Sequence, residues 1–243
     1  MLQVENLSGG YARSHPVIHN ISFEVQPSEM VGLIGLNGAG KSTTIKNILG
    51  LLHPHQGTVQ INGKTLEQDP TDFRSKISYI PEIPQFYEEL TLDEHLQLTT
   101  KAYRLDPQVA KQRKEDLLEA FRMKKARKWF PGTFSKGMQQ KIMIMSAFLV
   151  QPSVLIIDEP FVGLDPLAIQ ALLDLLQSGK NQGMAILMST HILEMAEKYC
   201  DRFLLLHEGH IQLHGSLTEM RKQANRPHAT LEDLFIETAG SDT

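Results

Sequence analysis

One short stretch constrains what this chain can fold into more than any other: Gly35-Leu36-Asn37-Gly38-Ala39-Gly40-Lys41-Ser42-Thr43. It fits G-x-x-x-x-G-K-[ST], a loop whose glycines let successive backbone N–H groups curl inward around a phosphate. The apolar run Met30-Val31-Gly32-Leu33-Ile34 before it reads as a buried strand, and Thr43-Thr44-Ile45-Lys46-Asn47-Ile48-Leu49 after it reads as a helix. That order aims a helix N-terminus, with its partial positive charge, at the same phosphate. In such a loop Lys41 reaches the β- and γ-phosphates of a nucleotide, and Ser42 offers a hydroxyl to Mg²⁺. The stretch therefore predicts a nucleotide site in which residues Gly35, Leu36, Asn37, Gly38, Ala39, Gly40, Lys41, Ser42 and Thr43 surround the phosphates.

The 243 residues, 41% of them hydrophobic, suit one large domain or a domain with a lobe set into it. Net charge is −4, and Lys and Arg are scattered except at Lys124-Lys125-Ala126-Arg127-Lys128. That cluster reads as a solvated helix end, and no nucleic-acid partner is expected. Cys200 is the only cysteine, which excludes a disulfide within the chain and fits a reducing cytoplasm. Met1-Leu2-Gln3-Val4-Glu5 has neither the basic nor the apolar region of a secretory signal. The longest apolar stretch, Ile142 to Val150, contains Ser146 and falls short of the ~20 residues that span a bilayer. The expectation is a soluble protein, so any work at a membrane needs a second chain.

Leu2 to Leu7 reads as an edge strand and Val17 to Val25 as a second strand, with Ser8-Gly9-Gly10-Tyr11 between them as a turn. Gly57 to Gly63 is a strand closed by an Asn-Gly turn, and Lys76 to Ile80 is a strand stopped by Pro81. From Tyr87 to about Val150 the pattern is helical. One helix starts at Thr91 with a capping box to Glu94, a second at Asp106-Pro107 and a third at Ser135. Strands then alternate with helices again: Ser153 to Ile157, a helix from Leu167 to Leu176, Ala185 to Met188, a helix from Ile192 to Lys198, then strands around Glu208-Gly209. This order predicts a parallel sheet covered on both faces. The predicted fold class is α/β: a P-loop NTPase core, an N-terminal antiparallel β subdomain and an inserted helical subdomain. The core covers about 1–83 and 152–223, and the helical subdomain about 84–151. One domain spans 1–236, with a polar tail at 237–243, and Leu231 to Phe235 forms a short docking helix.

A phosphate loop needs a second element that holds the metal and positions water. Val154-Leu155-Ile156-Ile157-Asp158-Glu159 supplies it, an apolar strand ending in two acids. Ligands of open parallel sheets bind at the carboxyl ends of strands. Asp158 belongs to the Mg²⁺ shell and Glu159 is the general base toward water. No Asn-Lys-x-Asp base-reading motif follows the acidic strand, which argues against a GTPase.

The helix opened by Phe134-Ser135-Lys136-Gly137-Met138-Gln139-Gln140-Lys141 leads directly into that strand. It resembles the Leu-Ser-Gly-Gly-Gln signature of ATP-binding cassette (ABC) ATPases, and the resemblance spreads over nearly the whole chain. Asp165 in Gly163-Leu164-Asp165-Pro166 resembles the D-loop, and His191 in Ser189-Thr190-His191 the switch histidine. Tyr11 stands where the family keeps an adenine-stacking aromatic, and Pro81-Glu82 where it has the Q-loop glutamine. The resemblance implies that two cassettes pair head to tail. Each ATP is then sandwiched between the P-loop of one copy and Ser135 and Gly137 of the other. His191 bonds the γ-phosphate, Asp165 couples the two sites, and Glu82 joins the Mg²⁺ ligands. It further implies an ATPase at the inner face of the cell membrane, working on an integral membrane transporter subunit. The helical lobe and the region after Glu82 would form the docking groove, with Phe86 and Tyr87 either at its floor or in the core.

Three features depart from the family pattern. The signature reads Ser-Lys-Gly-Met, so Lys136 adds a charge and Met138 lacks an amide; Glu82 replaces glutamine, with Gln85 as a substitute of lower rank. Leu7-Ser8-Gly9-Gly10 copies four signature letters but precedes a strand, and is read as a loop. Ser-Lys-Gly-Met together with Pro-Glu looks most like exporters of the broad ABC-2 type, nearest the Ecs-type ATP-binding subunits of Gram-positive bacteria. Two other readings stay open at this point. One is a cassette factor acting on ribosomes or DNA, although the spacing from Lys41 to Asp158 leaves no room for a coiled-coil arm. The other is a non-enzymatic regulatory module, against which Glu159 argues.

Overall fold

The computed structural model describes residues 1–240. Two sheets carry the molecule. The first is antiparallel and contains β1 (Leu2–Gly9), β2 (Ile18–Val25), β4 (Gln56–Ile61) and β5 (Lys64–Thr65) in the order β2-β1-β4-β5. The second holds β3 (Met30–Ile34), β6 (Ile77–Ile80), β7 (Val154–Asp158), β8 (Ala185–Ser189), β9 (Arg202–His207) and β10 (His210–Gly215) in the order β10-β9-β3-β8-β7-β6. Strands β9, β3, β8, β7 and β6 run parallel, and β10 closes one edge as an antiparallel hairpin with β9.

Every residue of β3, β7 and β8 is buried. The reason is the two-residue period of a strand working against two apolar layers. Val154 and Ile156 of β7, with Ala185 and Leu187 of β8, face the antiparallel sheet. Leu155 and Ile157, with Ile186 and Met188, face the helical side. Between the sheets also lie Ile45 and Ile48 of α1 (Lys41–Ile48) and Phe73 of α2 (Pro70–Ser75). The inserted lobe is built from α3 (Leu92–Ala102), α4 (Pro107–Ala120) and α5 (Lys136–Val150). Its helices start at side-chain caps: Thr91 with Glu94 as a full capping box, then Asp106, then Ser135. A third apolar cluster covers the outer side of β9, formed by α7 (Leu193–Tyr199), α8 (Leu217–Gln223) and α9 (Leu231–Gly240); α6 (Pro166–Asn181) packs with the helical lobe.

The structure corrects several local readings. β1 is interior to its sheet and not an edge, because β4 pairs along its other side. Leu7-Ser8-Gly9 lies within β1 and not in a loop. A Cβ at Gly9 would come within 2.6 Å of Asn47 Oδ1, so α1 packs too closely there for a side chain. Helix α6 runs about a turn further than its apolar pattern. Helices α2 and α8 were not expected: each is short and buries one side chain, Phe73 or Met220, so neither shows a period. α9 docks on its own chain, with Leu231 and Leu234 fully buried. It continues to Gly240, past the expected domain end at 236; residues 241–243 of the expected tail lie outside the described residues.

Candidate nucleotide-binding site

The strand order brings four loops to one edge of the parallel sheet. β3 runs into the glycine loop, β8 into Thr190 and His191, β7 into Glu159, and β6 into Pro81 and Glu82. Gly40 caps α1 at φ 109°, a conformation that costs glycine little, and no side chain occupies the cap. Among the described residues the N–H groups of Gly38, Gly40, Lys41 and Ser42 have no protein acceptor. A Cβ built at Gly38 meets no atom within 4 Å, so the space over the loop is open. Lys41 is almost buried and its Nζ donates to the carbonyls of Gly35, at 2.6 Å, and Leu36, at 3.2 Å. The ammonium thus bridges its own loop. Leu36 points outward and contributes backbone alone to that contact.

Asp158 and Glu159 end β7 with only 5% and 8% of their surface exposed. Asp158 stands in register with Ser189 of β8. Burial raises its carboxyl above the usual aspartate range, and the neighbouring charges of Glu82 and Glu159 push the same way. Glu159 sits at φ 48°, an uncommon place for a residue with a side chain. Its N–H donates to the Ser189 carbonyl at 3.0 Å. Its Oε2 accepts the His191 N–H at 3.3 Å and lies 2.8 Å from His191 Nδ1. The histidine holds the carboxylate from two atoms while its own ring is mostly exposed.

Tyr11 is exposed beside α1, its hydroxyl 3.0 Å from Lys46 Nζ, and this ammonium also lies over the ring at 5.2 Å from the centroid. The contact with Lys46 lowers the phenol's pKa. Glu82 is exposed at the end of β6.

The signature residues form a separate group. Ser135 caps α5 by accepting the Met138 N–H at 3.3 Å. A Cβ at Gly137 would lie 2.3 Å from the Gly163 carbonyl oxygen, so the start of α5 packs backbone to backbone on the loop carrying Asp165. Asp165 caps α6 through the Ala168 N–H at 2.9 Å and pairs with Lys141 at 2.8 Å. No hydrogen bond or ion pair joins Ser135 or Gly137 to the glycine loop or to Glu159 among the described residues. Within one chain the two halves stand apart.

Three further residues support the site. Gln140, buried in α5, donates Nε2 to the Pro81 carbonyl at 3.0 Å and so ties the signature helix to the Glu82 segment. Tyr79 packs near Asp158, and burial together with the Asp158 charge raises its phenol's pKa. Lys46 holds Tyr11. Gln140 lies five residues beyond the Ser135 cap, a spacing visible in the sequence; Tyr79 carries no sequence signal, since alternation marks only that it faces one side of β6.

The donor set suits a phosphate-bound hard cation. It offers oxygens from Ser42, Asp158 and Glu82, and no group of three or more His, Cys, Asp or Glu that could hold a metal occurs among the described residues. Mg²⁺ is normally held by one or two carboxylates plus substrate phosphates, a donor chemistry that the carboxylates of Asp158 and Glu82 and the hydroxyl of Ser42 would supply.

The chain resembles known proteins over its whole length. The "ABC transporter" family model matches residues 18–162, more than half of the chain. The chain is 54% identical over 242 residues to the "ABC-type transporter ATP-binding protein EcsA" of Bacillus subtilis (strain 168), covering 100% of this chain and 98% of that protein. It is 34% identical over 220 residues to the "Linearmycin resistance ATP-binding protein LnrL" of the same organism, covering 90% of this chain and 70% of the relative. A solved "ATP binding subunit of ABC transporter" superposes with a TM-score of 0.95 at 50% identity, over 98% of both chains. The chain belongs to the ATP-binding subunits of the ABC transporter family.

Proposed function

We propose that the chain binds ATP with Mg²⁺, hydrolyses it between two head-to-tail copies, and so drives export through a separate integral membrane subunit at the inner face of the membrane. The observation that carries this reading is a site complete on one side only. Glu159 and His191 stand at the strand ends beside the P-loop, while Ser135 and Gly137 of the same chain have no contact with it. A second copy supplies the missing half.

The residues divide the work. Gly38, Gly40, Lys41, Ser42 and Thr43 hold the phosphates, and Lys41 exchanges its carbonyl acceptors for phosphate oxygens. Tyr11 stacks on adenine. Ser42, Asp158 and Glu82 would hold Mg²⁺, which when bound would offset the charge of the phosphate oxygens. Glu159 accepts the proton of the attacking water as the water oxygen bonds the γ-phosphorus and the bond to the ADP oxygen breaks. His191 fixes the carboxylate and bonds the γ-phosphate. Ser135 and Gly137 of the second copy present the N-terminus of α5 to the same γ-phosphate. Loss of that phosphate removes the charge that binds the copies together, and differential contact of this kind is what a switch requires. Asp165 couples the sites through its loop. Export is the direction proposed because one relative is named for resistance to linearmycin.

Glu159→Gln tests the assignment. The expected variant binds ATP, loses turnover by about 10³-fold, the scale of a lost general base, and accumulates as a dimer on gel filtration with ATP. Wild-type turnover in that variant refutes the role of Glu159.

A further inference from the structure

We propose that the turn at 122–130, on the helical lobe, is a contact for an anionic phospholipid surface. The basic cluster noted in the sequence does not end a helix as a plain solvated face. It forms a short 3-10 turn, Lys124–Ala126, and runs into two exposed aromatics, Trp129 at 54% and Phe130 at 49% exposure. The turn is anchored from beneath. Phe121, Met123 and Ala126 are buried in the lobe, and the carbonyls of Arg127 and Trp129 accept the N–H groups of Asp93, at 2.8 Å, and Leu92, at 3.1 Å. The Trp129 ring is held near Phe134, 6.5 Å between centroids. The aromatics are therefore displayed by rigid backbone and are not loop-tip side chains that fold back on the core.

The charges sort into two sets. Arg127 is committed to Asp93 and Glu115, Lys114 also pairs with Asp93, and Lys124 pairs with Glu119. Arg122, Lys125 and Lys128 are exposed and have no ion-pair partner among the described residues. Three uncompensated cations beside an exposed Trp and Phe match an anionic interface: aromatics sit at headgroup depth, and cations gain from the surface potential. The whole chain carries a net charge of −4, so an anionic bilayer repels it overall and attraction has to be local. A single-stranded nucleic acid also takes cations and aromatics, but it needs an extended groove that tracks the backbone, and this patch is a single short turn. The inference rests on the turn alone and not on the nucleotide reading.

Trp129 is the only tryptophan in the chain, so the patch carries its own reporter. The full-length protein is titrated with vesicles of phosphatidylcholine alone or with added phosphatidylglycerol, at low and high salt. ATP turnover is followed in parallel, so that this inference and the ATPase assignment fail separately. The expected result is co-sedimentation with the phosphatidylglycerol vesicles, a blue shift of Trp129 emission, quenching by brominated acyl chains, and loss of all three at high salt. Lys125→Gln with Lys128→Gln lowers partitioning about 25-fold, five-fold for each charge, with turnover unchanged. Absence of co-sedimentation overturns the proposal. So does binding without a Trp129 shift, unaltered binding by the double variant, or a Trp129 shift produced by a single-stranded oligonucleotide and not by vesicles.

Discussion

Replacing Gly137 with Ala puts the packing of the start of α5 on the Asp165 loop to a quantitative test. Ala at the second position of a helix such as α5 ordinarily gains up to about 1 kcal/mol over Gly. Here the added Cβ would stand 2.3 Å from the Gly163 carbonyl oxygen and 3.4 Å from its carbon. Both atoms are backbone, so relief requires a shift of the loop between Glu159 and Asp165 and not the turning of a flexible side chain. Overpacking of that kind costs about 1–3 kcal/mol. The difference leaves a net loss of about 1 kcal/mol, or a melting temperature about 3 °C lower for a chain of this size. The effect on turnover is larger, because a displacement of about 1 Å near reacting groups costs on the order of 10²-fold. Differential scanning fluorimetry and a phosphate-release assay read the two effects, with nucleotide binding unchanged since the P-loop is untouched. Gly132→Ala is the control: its Cβ meets nothing within 4 Å, so stability and turnover hold. A Gly137→Ala protein that melts at or above the wild-type temperature with full turnover refutes the reasoning.

Other outcomes follow from single contacts. Tyr11→Ala weakens ATP binding about ten-fold, while Tyr11→Phe loses only the exposed contact with Lys46 and changes binding less than about three-fold; titration with a fluorescent nucleotide separates them. Asp158→Asn abolishes hydrolysis yet stabilises the nucleotide-free fold by about 1 kcal/mol at neutral pH, as relief of a functional-site cost commonly does. The sign follows from the raised carboxyl. The folded state holds the proton more tightly than the unfolded chain, so wild-type stability falls as pH rises from the ordinary aspartate range through the raised value. The advantage of the Asn variant therefore shrinks on acidification, which melts across pH measure; a constant difference contradicts it. Leu234→Ala costs about 3 kcal/mol because this α9 side chain is fully buried against the cluster on β9, and a neutral result in chemical denaturation excludes α9 from the core.

Much of the site was legible because its chemistry demands particular residues in a fixed order. A phosphate loop needs glycines, and its strand and helix neighbours carry their own apolar patterns, so residues 30–49 announce their fold. The acids at 158 and 159 stand out because they break a run that is otherwise apolar. The helix starts at Thr91, Asp106 and Ser135 were visible for a similar reason, since a cap is a local hydrogen bond between near neighbours. α8 left the same trace, Ser216 with Glu219, and reading that box would have found it.

What stayed hidden depends on pairs distant in sequence. Alternation in β1 says that one face is buried, not how many strands flank it, and β4 alone decides that it is interior. Leu231 and Leu234 mark α9 as amphipathic, yet only packing shows that the apolar side is used up on β9 and α7. Gly137 reads as a letter of a motif, and only the approach of Gly163 explains why no Cβ fits. The composition and order of residues by themselves determined the kind of site, because phosphate and water impose local requirements on the chain. The tertiary structure alone decided that Glu159 is gripped by His191 and that Ser135 stands apart from the P-loop, because those relations are set by which strands lie side by side and not by which residues follow one another.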